Sequence, residues 1–446
     1  MFSSPWHYFT DPVLQAPTIG SMLMCFSSAL VGVIVFLRKR SLLGEALSHA
    51  AYPGVVLSVL IVAVLFPEAE GEMAIAILVG AFLTALLGLW VIERLEKRFK
   101  VKNDAALCFV LALFFGVGIT IASRLQTTHA LWYKTIQIFL YGQAATMTDI
   151  HVVIYFFLAV LTILSLFLLY RQIEVMIFDR SFARSIGISL SLLDGLLFVL
   201  LALAIVIGIR SVGVVLMAGM LIAPAVTARQ FTDRLWMMLL IAACFGAVSG
   251  FLGNYLSVEL PAWGMAQGWE WRFSLPTGPM ILLSASSLCL LSLLFAPNYG
   301  LVNRFMRVIT FRYQCLAENL LKHFWKKGED KELSLESLKK WQGLSSFKIR
   351  VLLFCLTFQG WMDEQEKGSY CLTTDGRLRA AQIVRLHRLW EVYLVYLGQG
   401  REKVHASAEE MEHILTPELE RELTELLQNP KQDPHHQPIP APKEFL

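Results

Sequence analysis

The stretch from Leu190 to Arg229 reads LSLLDGLLFVLLALAIVIGIRSVGVVLMAGMLIAPAVTAR, with three charged side chains in forty residues. The hydrocarbon core of a bilayer is about 30 Å thick and needs roughly 20 apolar residues per helix. The stretch therefore predicts two consecutive membrane-spanning helices, over about 190–209 and 212–228. Pro224 removes a helical hydrogen bond from the second, which predicts a kink there.

Further apolar stretches of similar length lie on both sides of this pair. Together they predict nine spans, over about 17–37, 43–66, 73–93, 105–123, 151–170, 190–209, 212–228, 235–257 and 277–297. The first is not expected to be a cleaved signal peptide, because no charged region precedes it and basic residues follow it. The predicted fold is mainly α, a polytopic bundle of about nine transmembrane helices.

Charge is distributed unevenly along the 446 residues, of which 56% are hydrophobic. Residues 1–300 hold 17 Lys and Arg with 15 Asp and Glu, whereas residues 301–446 hold 21 and 20. This composition excludes a single soluble domain and a disordered chain. The seven cysteines form no C-x-x-C pair, so we expect neither a disulfide framework nor a structural zinc finger. A membrane part, residues 1–298, precedes a charged tail.

The basic residues between the spans predict the orientation of the chain. The loops that follow the first, third, fifth and seventh spans carry 13 of them, against four in the other loops. Basic loops stay in the cytoplasm, which places the N-terminus outside. Nine spans then place the tail in the cytoplasm.

Ionisable residues inside spans are costly and often functional. Glu45 and His49 lie four residues apart in the run GEALSHAAYPG, from Gly44 to Gly54, so they share one helical face. A carboxylate and an imidazole suit a divalent first-row metal. The alternative is a glutamate at a helix end and a histidine that is hydrogen-bonded to a neighbouring backbone carbonyl.

Asp179, Ala183 and Gly187 recur at four-residue intervals between the fifth and sixth spans. Small residues at this spacing allow another surface to approach closely, although a simple amphipathic connector has the same pattern. No G-x-x-x-x-G-K-[ST] loop occurs in the chain, so the nucleotide-binding loop of an ATPase is missing.

The membrane part resembles the permease subunits of metal-ion ABC transporters, the zinc, manganese and iron uptake family. The resemblance rests on the Gly44–Gly54 run, on residues 210–229 and on the L-P-T-G-P entry at 275–279. It implies a separate cytoplasmic ATPase and an extracytoplasmic metal-binding protein as partners, and it does not fix whether a second permease chain pairs with this one. Glu45 and His49 fall on the in-membrane metal ligands of the family, which usually has aspartate at the first position. Asp179 to Gly187 falls on the ATPase-coupling segment.

The order of elements in the tail is that of a winged helix-turn-helix over 313–375. A basic link, 299–312, precedes predicted helices over about 313–327, 334–342 and 346–359 and a hairpin over 361–372. The third helix would enter a DNA major groove, and its exposed start carries Ser345, Ser346, Lys348 and Arg350. Winged helices of this size also mediate protein contacts, and the nearly neutral tail has no broad basic surface.

Histidines and carboxylates are in register in the last part of the tail, 376–446. His387 and Glu391 lie four residues apart on a predicted helix over 376–397, and one face of a later helix is predicted to carry His405, Glu409, Glu412 and His413. Imidazoles with carboxylates are metal-ligand chemistry. The alternative is a solvated, salt-bridged helix face.

The tail resembles the iron- and manganese-dependent repressors of the diphtheria-toxin-repressor and manganese-repressor type. The marks are L-T-T-D-G-R at 372–377, H-R-L-W-E at 387–391, V-H-x-x-A-E-x-x-E-H at 404–413 and D-P-H-H-Q-P-I-P at 433–440. The resemblance implies a dimer that binds double-stranded DNA when it holds Fe(II) or Mn(II). It assigns His387, Glu391 and His405 to one metal site and Glu409, Glu412 and His413 to another. The family takes a further ligand from its first helix, at a position that falls near Glu318 or Asn319.

The repressor resemblance ends with the dimerisation domain, so the third domain of many members is expected to be missing. Permease and repressor in one chain resemble the fusion proteins of the chlamydial type. This implies iron or manganese as cargo and a bacterial inner membrane. The sequence has no G-x-S-x-G motif and no Ser/His/Asp set, so we expect no enzyme activity.

Three functional hypotheses follow. In the first, the chain imports metal and its tail is a repressor, released by proteolysis near the basic link because a tethered repressor reaches little DNA. In the second, the tail senses metal and gates the permease without binding DNA. In the third, the chain senses metal without transporting it.

Overall fold

The computed structural model describes residues 4–65, 70–128, 130–268, 274–328, 332–335, 337–338, 345–365, 368–400, 404–411, 413 and 416–441. Two compact units, Met1–Asn303 and Arg304–Leu446, make up the chain.

The first unit is a helical bundle. Its described helices are α1 (His7–Thr10), α2 (Pro12–Leu37), α3 (Ser41–Leu65), α4 (Glu70–Lys97), α5 (Asn103–Thr128), α6 (Ala130–Tyr141), α7 (Asp149–Leu168), α8 (Tyr170–Phe178), α9 (Arg180–Ser185), α10 (Leu190–Val212), α11 (Met217–Arg229), α12 (Leu235–Ala266) and α13 (Thr277–Phe295), with a 3-10 turn at Ala144–Thr146. Within the described part of the chain, eight of them are long and apolar enough to cross a membrane: α2, α3, α4, α5, α7, α10, α12 and α13.

The seventh predicted span, 212–228, is a short apolar helix in the structure. α11 has 13 residues and therefore rises only about 20 Å, less than the thickness of the hydrocarbon core. The break before it comes from Gly213, whose φ of 96° ends α10, and from the Val214 amide, which donates to the Phe139 carbonyl of α6. Non-helical backbone at membrane depth requires such partners.

Small residues allow the membrane helices to approach closely. A Cβ added at Gly246 or Gly250 of α12 would lie 2.6 or 2.7 Å from a backbone carbonyl oxygen of α2. A Cβ at Gly54 of α3 would lie 2.2 Å from the carbonyl oxygen of Gly80 in α4. The backbones of α2 and α12 are therefore in contact, and so are those of α3 and α4. A residue larger than glycine has no room at these points.

The ends of α6 and α10 also meet through glycines. Gly142 and Gly213 have φ angles of 77° and 96°, which glycine adopts readily and other residues rarely do. A Cβ at Gly142 would lie 2.3 Å from the carbonyl carbon of Val212, and a Cβ at Gly213 would lie 2.6 Å from that of Tyr141. Both conformation and space therefore demand glycine on each side of this junction.

Helices and a small sheet form the tail. Its elements are α14 (Leu301–Lys327), β1 (Leu333–Ser334), α15 (Ser346–Phe358), β2 (Met362–Gln365), β3 (Ser369–Leu372), α16 (Thr374–Tyr396), α17 (Val404–Met411) and α18 (Pro417–Leu426). The antiparallel sheet has the strand order β1–β3–β2, with Leu333 opposite Tyr370 and Met362 opposite Leu372. The core contains Phe324, which is 2% exposed, together with leucines of α14 and α15.

The predicted tail elements agree with this structure in order. The hairpin over 361–372 is confirmed as β2 and β3, and the Ser345 side chain caps α15 by accepting from the Lys348 amide. The first helix begins at Leu301, twelve residues before the predicted start. Leu335, Ser337 and Leu338 are helical, and the rest of the second predicted helix lies outside the described residues.

Candidate metal centres

Three metal-ligand side chains converge in the tail. The Nε2 atom of His387 lies 3.1 Å from Oε1 of Glu391 and 3.0 Å from Nδ1 of His405, and Nδ1 of His405 lies 2.7 Å from the same carboxylate oxygen. Ligands bound at right angles about 2.1 Å from an ion are about 3 Å apart. The spacing of the three atoms therefore fits a single divalent metal, and two imidazoles with a carboxylate suit Mn(II), Fe(II) or Zn(II).

Two elements bring this group together. One turn of α16 places His387 and Glu391 on one face, where they are 4% and 1% exposed, and α17 adds His405. Burial raises the pKa of the Glu391 carboxyl, but hydrogen bonds from His387 and His405 outweigh it and lower that pKa to about 2. The carboxylate is thus ionised and available as a ligand throughout the physiological pH range.

Lys322 of α14 adds a positive charge beside the first group. Its side chain is buried, with Nζ 3.1 Å from Nδ1 of His387 and 3.9 Å from Oε1 of Glu409. An ammonium group only donates, so Nδ1 accepts and the ring proton is on Nε2. Metal binding by Nε2 requires that proton to leave. Metal binding by Nε2 would therefore move the ring proton to Nδ1 and break the hydrogen bond from Lys322.

A second group joins α14 to the segment after α17. Oε2 of Glu318 lies 2.7 Å from Nδ1 of His413, and Oε1 accepts hydrogen bonds from Arg379 and Gln314. Burial raises the pKa of Glu318, but the hydrogen bonds from His413 and Gln314, together with the charge of Arg379, bring it below its ordinary value. Of the two first-helix candidates, Glu318 is therefore the one that reaches His413.

Of the predicted ligands of the later helix, His405, Glu409 and His413 do not share one helical face. α17 ends at Met411, and His413 follows in a turn. Glu409 is placed with the first group, where its Oε1 lies 3.7 Å from Nε2 of His405. Glu412 lies outside the described residues. The helix termination separates His405 from His413 and directs them to the two different groups.

The sequence reasoning missed the basic residues that hold these groups. Arg385, 3% exposed, donates to Glu420, Thr424 and the Pro440 carbonyl. It thereby fastens α18 and the last described loop to α16. Lys322 and Glu318 lie four residues apart on α14, which is a signal in the sequence that they share one face.

The membrane pair has a different environment. His49 is 7% exposed in α3, with its ring edge-on to Phe115 at 4.5 Å between centroids, and Glu45 is half-buried. Among the described residues, Nδ1 of His49 has no hydrogen-bond partner, which contradicts a histidine bonded through that atom to a backbone carbonyl. Pro53 has no amide hydrogen, so the His49 carbonyl receives no helical bond from it.

The segment between α7 and α10 forms two short helices. The Asp179 carboxylate accepts from the Ser181 hydroxyl and from the amides of Ser181 and Phe182, which lowers its pKa and caps α9. Ala183 is buried, and Gly187 ends the segment with a φ of 85°.

The predicted recognition helix presents both polar and apolar groups. Ser345, Ser346, Lys348 and Arg350 are exposed. A stripe of four apolar side chains on α15 is exposed as well: Phe347 (76%), Val351 (43%), Phe354 (71%) and Phe358 (86%).

A membrane bundle and a tail with converging metal ligands define a metal permease joined to a metal-binding domain. Residues 10–296 match the ABC 3 transport family, and the chain belongs to this family. Residues 373–441 match the iron dependent repressor, metal binding and dimerisation domain.

Similar proteins carry related descriptions. A probable metal transport system membrane protein of Chlamydia trachomatis is 37% identical over 97% of both chains. The manganese transport system membrane protein MntC of Bacillus subtilis is 34% identical over 89% of this chain and 87% of its own. The structure of PsaBC from Streptococcus pneumoniae in complex with Fab matches 68% of this chain and 97% of that chain, with 26% identity and a TM-score of 0.54.

Proposed function

We propose that the chain is the permease subunit of an ABC importer for manganese or iron and that its tail is a metal-dependent transcriptional repressor. The observation that carries this proposal is the convergence of His387, Glu391 and His405 in a chain whose other unit is a metal permease. The names of the relatives support manganese, and the hard carboxylate ligands favour Mn(II) or Fe(II).

In the membrane unit, Glu45 and His49 bind the metal during transit. The proposal is supported by the buried imidazole, whose Nδ1 has no partner in the described part of the chain. The His49 carbonyl adds an oxygen of the type that Mn(II) accepts. Because the tail groups lie in the other unit, a change at His49 should stop uptake of radiolabelled Mn(II) without removing metal from the tail.

A separate ATPase drives the transport, and α9 with its flanking residues is the segment that it contacts. Phe178, Phe182 and Ile186 are exposed at four-residue intervals, and Asp179 fixes the start of the helix between the first two. The Asp194 carboxylate of α10 joins Arg180 of α9 to Arg38, the residue that follows α2, at 2.6 Å each. A movement of α9 would therefore be transmitted directly to α10 and to the end of α2.

We place the N-terminus outside and the tail in the cytoplasm of a bacterial inner membrane, with α11 and the non-helical residues before it counted together as one crossing between α10 and α12. The support is the excess of basic residues in one set of loops. An extracytoplasmic metal-binding protein would then deliver the metal, and a second permease chain would complete the pathway.

In the tail, metal joins α16 to α17 and draws His413 towards α14, so binding would order the unit and favour its dimer. The dimer holds two recognition helices at operator spacing, and Ser345, Ser346, Lys348 and Arg350 contact the DNA. Footprinting on the DNA upstream of the gene tests this, with the full chain in nanodiscs and Mn(II), Fe(II) or a chelator. Protection only with metal is the expected result, and its absence at every metal level rejects the repressor role.

Release of the tail by proteolysis would bring the repressor to the whole chromosome. Immunoblots of membrane and soluble fractions with a tail antibody test this step. A soluble tail fragment is expected, and a full-length membrane band alone at every metal level refutes release.

The apolar stripe on α15 favours a second function. The phosphates and base edges of DNA are contacted mainly by polar side chains. The exposed Phe347, Phe354 and Phe358 are better suited to contact with a protein surface. In this alternative the tail senses metal and gates the permease. Removing residues 313–446 would then raise metal uptake at high external metal, and unchanged uptake would leave the repressor as the better proposal.

A further inference from the structure

The start of α14 has no role in the metal groups. Residues 301–312 are all exposed, whereas Ala317, Leu320, Leu321 and Phe324 of the same helix are buried in the tail core. The first twelve residues of α14 are therefore a helical segment with apolar side chains that the described residues leave uncovered.

This segment is amphipathic. At 100° per residue, one sector of roughly 160° carries six apolar side chains: Leu301, Val302, Phe305, Met306, Val308 and Ile309. The opposite sector carries Asn303, Arg304, Arg307 and Thr310. Phe311 falls among the polar residues and Arg312 within the apolar sector, so the pattern ends at Thr310.

The position of the segment at the membrane is fixed by hydrogen bonds. α13, the last span, ends at Phe295, and Asn303 donates to the carbonyls of Ala296 and Pro297 directly after it. Tyr299 donates to Asp233 at 2.8 Å. These bonds hold the first turn of α14 directly next to the end of α13, the last apolar helix long enough to cross a membrane.

The charges indicate the type of surface that the segment meets. Residues 301–317 contain three arginines and no acidic residue. Cations on one face and Phe, Met and Ile on the other are the features of helices that lie in the interface of an anionic bilayer. A protein partner would have to compete with the lipid that surrounds the end of α13.

We propose that residues 301–310 lie in the plane of the membrane, with the apolar sector in the acyl region and Arg304 and Arg307 on anionic phospholipid headgroups. The segment binds the bilayer in which the chain itself is inserted. The inference holds whether the tail is a repressor or a gate. For release, it means that a cut before Leu301 leaves the fragment with a membrane anchor, whereas a cut after Thr310 frees it.

Photocrosslinking of the full chain tests the proposal. Phe305→benzoylphenylalanine and Ile309→benzoylphenylalanine report the apolar sector, and Thr310→benzoylphenylalanine is the matched control on the other face. The variants are reconstituted in vesicles of equal parts phosphatidylcholine and phosphatidylglycerol, and adducts are identified by mass spectrometry. The side chains at all three positions are exposed, so the substitutions leave the core intact.

Lipid adducts should be at least about fivefold more abundant at Phe305 and Ile309 than at Thr310, because only the apolar sector faces acyl chains. In the background Arg304→Gln with Arg307→Gln, this yield should fall in the anionic vesicles at low salt and stay unchanged in pure phosphatidylcholine. Equal lipid yields on both faces, or protein adducts in place of lipid at Phe305 and Ile309, would overturn the proposal.

Discussion

Glu391→Gln removes the negative charge from the first tail group and keeps the volume of the side chain. The pKa of the Glu391 carboxyl is about 2 in the folded chain and ordinarily 4.5. At 1.36 kcal/mol per pKa unit, the carboxylate form contributes about 3 kcal/mol to the stability of the tail at neutral pH. The substitution should remove this contribution.

The sign of the pH dependence follows from the lowered pKa. Because the folded carboxyl binds its proton less readily than the unfolded one, its contribution is complete above pH 4.5 and disappears as the pH falls towards 2. For a unit of this size, 1 kcal/mol shifts the unfolding midpoint by roughly 2–4 °C. The tail of the Glu391→Gln chain should therefore unfold roughly 6–12 °C lower at pH 7 and at the same temperature as the parent near pH 2.

Pulse proteolysis over a temperature series, read with a tail antibody, measures this midpoint in the full chain. Glu425→Gln, an exposed carboxylate on α18, is the matched control and should leave the midpoint unchanged. Mn(II) at 100 times its dissociation constant should stabilise the parent by about 2.7 kcal/mol and the Glu391→Gln chain by less. An equal midpoint at pH 7, or a difference that persists near pH 2, would refute the reasoning.

Three further outcomes are expected. His49→Ala should reduce uptake of radiolabelled Mn(II) to background while Mn(II) binding to the tail stays at the parent level, and unchanged uptake would exclude the assigned path. Lys322→Met should raise Mn(II) affinity roughly tenfold, because the metal no longer displaces a charge-assisted hydrogen bond worth about 1.5 kcal/mol. Electron paramagnetic resonance of free Mn(II) measures this, with exposed Lys326→Met as the control; equal affinities would contradict the tautomer argument. Gly54→Ala should destabilise the membrane unit by about 1–3 kcal/mol or more through the clash with Gly80, seen as a lower yield of monodisperse protein. Gly116→Ala, which meets nothing within 4 Å, should be neutral or stabilising.

Much of the architecture is predictable because it is local. Apolar length predicts the eight full-length spans, and alternating helix, turn and hairpin signals predict the order of the tail elements. The short α11 is not predictable in this way, because the break at Gly213 depends on the Phe139 carbonyl, which is distant in the sequence. A count of apolar residues includes the residues of the turn between α10 and α11 in a membrane span.

The candidate site was predictable in residue type and less so in grouping. The four-residue spacing of His387 and Glu391 is enough to place them together. The sequence does not decide between Glu318 and Asn319. Neighbouring residues point about 100° apart on a helix, and only the position of His413 in the structure selects one of them. Lys322 has the sequence pattern of a solvated lysine, and its burial depends on α16, whose His387 lies 65 residues further along the chain.

The junction of Gly142 and Gly213 has a consequence at the level of the gene. Every missense single-base change in a glycine codon introduces a side chain, and at these two positions its first carbon would meet backbone atoms at 2.3 and 2.6 Å. Backbone cannot move aside as a flexible side chain can, and a change at one glycine cannot be compensated at the other, which is already the smallest residue. Selection would therefore keep glycine at both positions while the apolar residues around them vary.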